Sequence, residues 1–151
     1  MRAVVQRVAK ASISVNGGAR QEIGQGLVVL VAVGPDDGPD DARYMAEKIA
    51  GLRIFQDDAG KMNLSVRDID HGACLLVSQF TLFGDARRGK RPSFISAAQP
   101  DYAIPLYNQF VELMRRVDDL RVVTGEFGAD MMVEIHNDGP VTILVDSAKL
   151  F

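Results

Sequence analysis

The sequence predicts one α/β domain over residues 1–151: mostly antiparallel β-sheet layers with two main helices packed on the sheet. Three observations predict it. β-Branched runs and apolar/polar alternation fill the first quarter and return at the end, and two apolar periods of helical spacing lie between them. A length of 151 residues is enough to build a core without disulfides or a structural metal, and 47% hydrophobic residues is a soluble-globular composition.

Residues 2–8 are short and β-branched. Ala11, Ile13 and Val15 then alternate with Ser12 and Ser14, the period-two sign of a half-buried strand. Asn16-Gly17-Gly18 supplies the positive φ angles of a tight hairpin turn. After a second turn at Gly24-Gln25-Gly26, residues 27–33 (LVVLVAV) run apolar without alternation, which fits a strand covered on both faces. Residues 34–41 form a loop with Asp40 placed to cap a helix carrying Ala42, Met45, Ile49 and Leu52, and Gly51 lies near its stop. Residues 53–55 and 61–66 read as extended pieces around a turn at 57–60, and 73–81 (ACLLVSQFT) as a second buried strand that turns polar only at its end. Residues 83–100 have no period. Ala103, Leu106, Tyr107, Phe110, Leu113, Met114 and Val117 then give the clearest helix, with Asp101 as its expected cap and Pro105 as a local distortion. Two strands close the domain: Met131, Val133 and Ile135 on one apolar face, then 141–145, joined by a turn at 137–140.

A net charge of −3 argues against binding nucleic acid by bulk electrostatics. The one local basic patch is Arg87, Arg88, Lys90 and Arg91, read either as a seat for phosphates or as a solvated loop. Cys74 is the sole cysteine and has no metal-site spacing around it, so neither cofactor nor metal is expected. The longest apolar run, 27–33, is far short of the ~18 residues of a membrane span. Arg2, Arg7 and Lys10 leave no room for a signal-peptide apolar core, so a cytoplasmic location and no membrane contact are expected.

P-loop, GxGxxG, HExxH and GxSxG signatures are absent. His71 and His136 read as exposed or structural, Cys74 as core, and Asp36, Asp37, Asp40 and Asp41 as a solvated loop leading into a helix. Two segments stand out. In Ser78-Gln79-Phe80-Thr81-Leu82 a buried strand ends in side chains that can hydrogen-bond, as at a pocket mouth. In Asn137-Asp138-Gly139-Pro140-Val141-Thr142, Gly removes a side chain and Pro an N–H, so the tip presents carbonyl oxygens suited to an ammonium group.

Together, SQFTL at 78–82 and NDGPVT at 137–142 resemble the two signature motifs of the D-aminoacyl-tRNA deacylases. The likeness extends to MRAVVQRV, RIFQDDAGKMNLSV, RGKRPSF and TGEFGADM. The resemblance implies a cytosolic homodimer with its active site at the subunit interface, acting on tRNA. It implies hydrolysis of the ester joining a D-amino acid, or mischarged glycine, to the tRNA 3′ end. Ser78, Gln79, Phe80 and Thr81 of one subunit would line the pocket, with Gly139-Pro140, cis in this family, inserted from the other. Ala103 matches a small pocket-lining alanine, Arg7 an arginine that orients the Gly-Pro tip, and Met131 a methionine near it.

An aminoacyl ester is already activated, so positioned water and a stabilised oxyanion suffice. Backbone N–H groups near Phe80 and Thr81 are expected to hold the ester carbonyl. Thr81 has no evident base, which favours water organised by the tRNA 2′-hydroxyl over a threonine nucleophile. Chirality would follow from the Gly139 and Pro140 oxygens holding the amine, so that an L side chain is driven into the backbone. The alternatives are a generic Ser/Thr esterase acting on small molecules and a non-catalytic dimer binding RNA 3′ ends.

Overall fold

Strand β1 (Arg2–Val15) is the strand on which the sheet is assembled in the computed structural model, which describes residues 1–150. The two short strands expected from the sequence are one. Its second half pairs antiparallel with β2 (Gln21–Ile23), across a turn whose Asn16 and Gly17 have φ +50° and +69°. Its first half pairs antiparallel with β3 (Gly26–Ala32), from Arg2 opposite Ala32 to Val8 opposite Gly26. A separate small pair is made by β4 (Phe55–Gln56) and β5 (Met62–Leu64). Next to β3 lies β6 (Ala73–Ser78), and beyond it β7 (Arg121–Thr124), a strand the sequence reading lacked; both pairings are parallel. Along its other edge, β1 pairs antiparallel with β8 (Met131–Asp146) from Arg2 opposite Asp146 to Val15 opposite Met131.

The apolar runs of β3 and β6 are continuous because both faces are covered. Leu27, Val29, Val31, Cys74 and Leu76 point to the helix side, where they cluster with Met45, Ile49, Phe110 and Met114. Val28, Leu75 and Val77 point the other way and meet Ala11, Ile13 and Ile23, with Val133 and Ile135 packed behind. The far half of the β1–β8 ribbon therefore forms a second β layer. Helices, central sheet and ribbon make three layers, and each fully buried Leu, Ile or Val contributes ~1.5–3 kcal/mol through lost apolar surface. Cys74 belongs to this interior, where burial pushes its thiol up to about 12.

Helix α1 (Pro39–Ala50) starts two residues earlier than a cap at Asp40 requires. Gly38 is the cap, and the Asp41 carboxylate accepts its N–H at 2.8 Å; exposed Asp40 pairs with Arg43 instead. Helix α2 (Pro100–Arg115) is capped by Gln99, with Asp101 inside its first turn. Pro105 leaves α2 unbroken. The hydrogen bond it removes is that to Asp101, on an exposed face where the carbonyl is open to solvent.

Two further expectations are corrected. Strand β6 ends at Ser78, and Phe80–Phe83 form a 3₁₀ turn rather than more strand. The 137–140 segment is not a hairpin between two strands either. Asn137 pairs with Val8 and Thr142 with Gln6, so residues 138–141 bulge out of one continuous β8 while β1 advances past Arg7 alone. Asn137 closes the neck of the bulge: its Nδ2 donates to the Val141 carbonyl at 3.1 Å, and its Oδ1 accepts the Val141 N–H at 3.0 Å.

Candidate active site

The buried strand β6 delivers Ser78 to the sheet's end, opposite Val31 of β3. The Gln79 N–H makes the last tie to β3, donating to the Val31 carbonyl at 2.8 Å. The chain then leaves the ladder. Within the turn, the Leu82 N–H returns to the Gln79 carbonyl at 3.2 Å and the Gly84 N–H to the Thr81 carbonyl at 2.9 Å. Among the described residues, the N–H groups of Phe80 and Thr81 donate to no protein acceptor. These are the orphan donors that any helical start leaves behind, and here two adjacent ones stand at the mouth of a strand end. Arg2 braces the far side of the turn, with its guanidinium 4.4 Å from the centre of the Phe83 ring and bonded to Asp146 at 3.0 Å.

Side chains add a second constraint. Gln79 Nε2 donates to Thr81 Oγ1 at 2.6 Å, so a lone pair of the hydroxyl is already engaged. No imidazole, carboxylate or amine pairs with that oxygen among the described residues. Phe80 is 54% exposed, and Phe94 meets it edge-on with ring centres 5.3 Å apart. A pocket of about 330 Å³ opens beside the strand end, lined by Ser78, Gln79, Phe80, Phe127, Ala129 and Met131. Ala103 is buried near the start of α2; Ala98, just before that helix, donates to the Val33 carbonyl at 2.9 Å, which ties the α2 start to the same end of the sheet. Ala103 does not line the 330 Å³ pocket.

The Gly-Pro tip is built at another place. Gly139 has φ +124°, and its peptide bond to Pro140 is cis. Arg7, 6% exposed, holds the base of the bulge. Its Nε donates to the Asp138 carbonyl at 3.2 Å and lies 3.1 Å from the Asp138 carboxylate, and its Nη1 donates to the Ile54 carbonyl at 2.6 Å. Arg7 lies opposite Leu27, which lies opposite Cys74, four residues down β6 from Ser78. Three strand spacings across and four residues along put the tip ~20 Å from the Ser78 end of its own chain. Met131 therefore lies with Ser78–Phe80 rather than beside its own chain's tip.

Of the basic patch, Arg87 is engaged locally. Its Nε and Nη2 donate to the two Asp85 carboxylate oxygens at 2.9 and 2.6 Å, which holds that carboxyl well below the usual range. Arg88, Lys90 and Arg91 are exposed and make no ion pair among the described residues. Phe94 and Phe127 were absent from the expected site residues. The only signal for either is a large aromatic in a polar, aperiodic loop.

Among the described residues no group of three His, Cys, Asp or Glu is placed to hold a metal ion, and no helix is long and apolar enough to cross a membrane. The family described as D-Tyr-tRNA(Tyr) deacylase matches residues 4–146. The chain belongs to this family. Relatives named D-aminoacyl-tRNA deacylase, from Fervidobacterium nodosum and Thermotoga petrophila, are each 58% identical over 151 residues, 100% of both chains. A solved structure titled c-Myc DNA Unwinding Element Binding Protein is 41% identical with a TM-score of 0.87, over 97% of this chain and 98% of that one. Another, titled a probable eukaryotic D-amino acid tRNA deacylase, shares the fold at 18% identity and TM-score 0.82, over 95% of this chain and 97% of that one. The deacylase family is one of ester hydrolases acting on tRNA, and the chain is an enzyme of that kind.

Proposed function

We propose that the protein removes D-amino acids, and glycine, from the 3′ end of tRNA at a site completed by a second copy of the chain. The observation that carries this reading is the pair of unengaged N–H groups at Phe80 and Thr81, beside the Ser78–Met131 pocket. Water attacks the ester carbonyl, and the developing oxyanion accepts hydrogen bonds from these two donors. The tetrahedral intermediate then collapses, expelling the ribose 3′-oxygen. The proton of the attacking water passes to that leaving oxygen, and the neighbouring 2′-hydroxyl is the group placed to relay it. Exposed Phe80 offers a face for the terminal adenine.

The distance within one chain supports the role of a second copy. With its own tip ~20 Å from Ser78, a chain cannot use Gly139 and Pro140 on its own substrate. In a homodimer the partner's tip enters beside Met131, and the Gly139 and Pro140 carbonyl oxygens hold the substrate ammonium. An L side chain then collides with the backbone, a D side chain points away from it, and glycine has nothing to collide. Arg7 keeps the tip in that orientation.

Side-by-side deacylation of D-Tyr-tRNA, L-Tyr-tRNA and Gly-tRNA tests the reading. Release from the D and glycyl substrates is expected, with L-Tyr-tRNA spared by about 100-fold, ~2.7 kcal/mol of discrimination. Equal turnover of the L ester, or of a free D-amino-acid ester lacking RNA, would point to a generic esterase; no turnover at all would point to a binding module. Thr81→Val checks the nucleophile. It keeps the shape and the backbone N–H, so kcat within about threefold of the parent is expected, whereas a threonine nucleophile predicts a loss of order 1000-fold or more.

A further inference from the structure

We infer that the hairpin closed by Asp85 and Ser93 guides the unpaired 3′ tail of the RNA, with Arg88, Lys90 and Arg91, but not Arg87, seating its phosphates. The inference rests on the deacylase reading above and specifies which part of the RNA is held. Asp85 and Ser93 exchange both backbone hydrogen bonds, at 2.8 and 2.9 Å, and Gly89 turns the loop between them with φ +71°. Arg87 is part of that closure. Besides its two side-chain bonds, its own N–H donates to Asp85 Oδ1 at 3.0 Å, so its charge is balanced within the hairpin.

The other three cations are not balanced. They stand exposed on one short loop of a chain whose net charge is −3. Three like charges so close repel one another, and a polyanion is the partner that relieves the repulsion. The base of the hairpin identifies which polyanion. Phe94, directly after Ser93, lies edge-on to Phe80 and covers Gly84, where an added Cβ would meet its ring at 3.0 Å. The hairpin is thereby seated on the turn that carries the Phe80 and Thr81 donors. From Ser93 back to Gly89, four residues reach at most ~13 Å. Stacked nucleotides rise ~3.4 Å each, so the loop reaches past up to about four of them from the base on Phe80. That reach brings the cations within range of the phosphates of the unpaired tail.

The test measures kcat/KM on D-aminoacyl-tRNA and on the D-aminoacyl ester of adenosine, which has no upstream phosphate. For the Arg88→Gln/Lys90→Gln/Arg91→Gln triple variant the ratio of the two is expected to fall about 10-fold or more. The slope of log kcat/KM on tRNA against log salt should flatten by about 2, from roughly 0.7 per phosphate contact with a single strand. Arg87→Gln should leave that slope at the parent value. A triple variant with unchanged ratio and slope overturns the guide while the deacylase reading stands. An Arg87→Gln slope as flat as the triple variant's overturns the division among the cations. A parent protein that hydrolyses neither substrate ends both readings.

Discussion

Replacing Gly139 by alanine is expected to lower kcat/KM on D-aminoacyl-tRNA by about 100-fold or more while leaving the fold intact. At φ +124° the residue occupies backbone space that L side chains rarely adopt. An added Cβ would also lie 2.9 Å from Val141 Cγ2 and 3.0 Å from Arg7 Nη2. The bulge must therefore move, and displacing a positioning group by ~1 Å is enough to cost about that factor. The strain lowers stability by only about 1–3 kcal/mol, because Gly139 and Pro140 are exposed and outside both apolar clusters. Kinetics and a melting curve on the same variant check both halves. Parent kcat/KM with parent selectivity between D and L substrates would remove the tip from the mechanism.

Arg7→Ala is expected to affect stability and activity together. The side chain is buried and ties two separate segments, the bulge at Asp138 and the 53–55 stretch at Ile54. Its loss leaves the Ile54 carbonyl without its charge-assisted donor and the Asp138 carboxylate without a counter-charge. Because Asp138 remains half exposed to water, the cost stays below that of a fully buried broken pair, at about 2–4 kcal/mol. Chemical denaturation measures it directly. Activity on D-aminoacyl-tRNA should fall at least tenfold as the bulge loses its orientation. Arg7→Lys separates the two effects. A lysine retains the charge but cannot donate in both directions, so it should recover part of the stability and little of the activity. Unchanged unfolding free energy in Arg7→Ala would show that the bulge holds its shape without the guanidinium.

Much of the architecture was legible along the chain. The unbroken run at 27–33 signalled a strand covered on both faces, and β3 sends alternate residues into two different cores. The spacing from Ala103 to Met114 marked the buried stripe of α2. Errors came where local chemistry fits two structures equally well. Asn-Asp-Gly-Pro suits a hairpin turn, but it also suits a bulge whose two flanks pair with one neighbouring strand. Polarity in Ser78-Gln79-Phe80-Thr81 announced the end of a strand without saying where the ladder stops. For the candidate site, both motifs could be singled out from their residues. The link from Arg7 to the Gly-Pro tip, however, came from family resemblance, its contact with Asp138 came only from the structure, and Phe94 and Phe127 were not found.

By itself, the sequence determined both main helices and most of the extended segments, which faces must be buried, and where unusual polar ends interrupt them. Those properties repeat every two or 3.6 residues and are carried by neighbouring side chains. Only the tertiary structure decided which edges meet: β1 against both β3 and β8, β6 parallel between β3 and β7, and the Gly139 bulge far from its own chain's Ser78. Backbone hydrogen bonds are alike at every residue and name no partner. Strand order and register are instead settled by how the whole set of apolar faces closes into two cores.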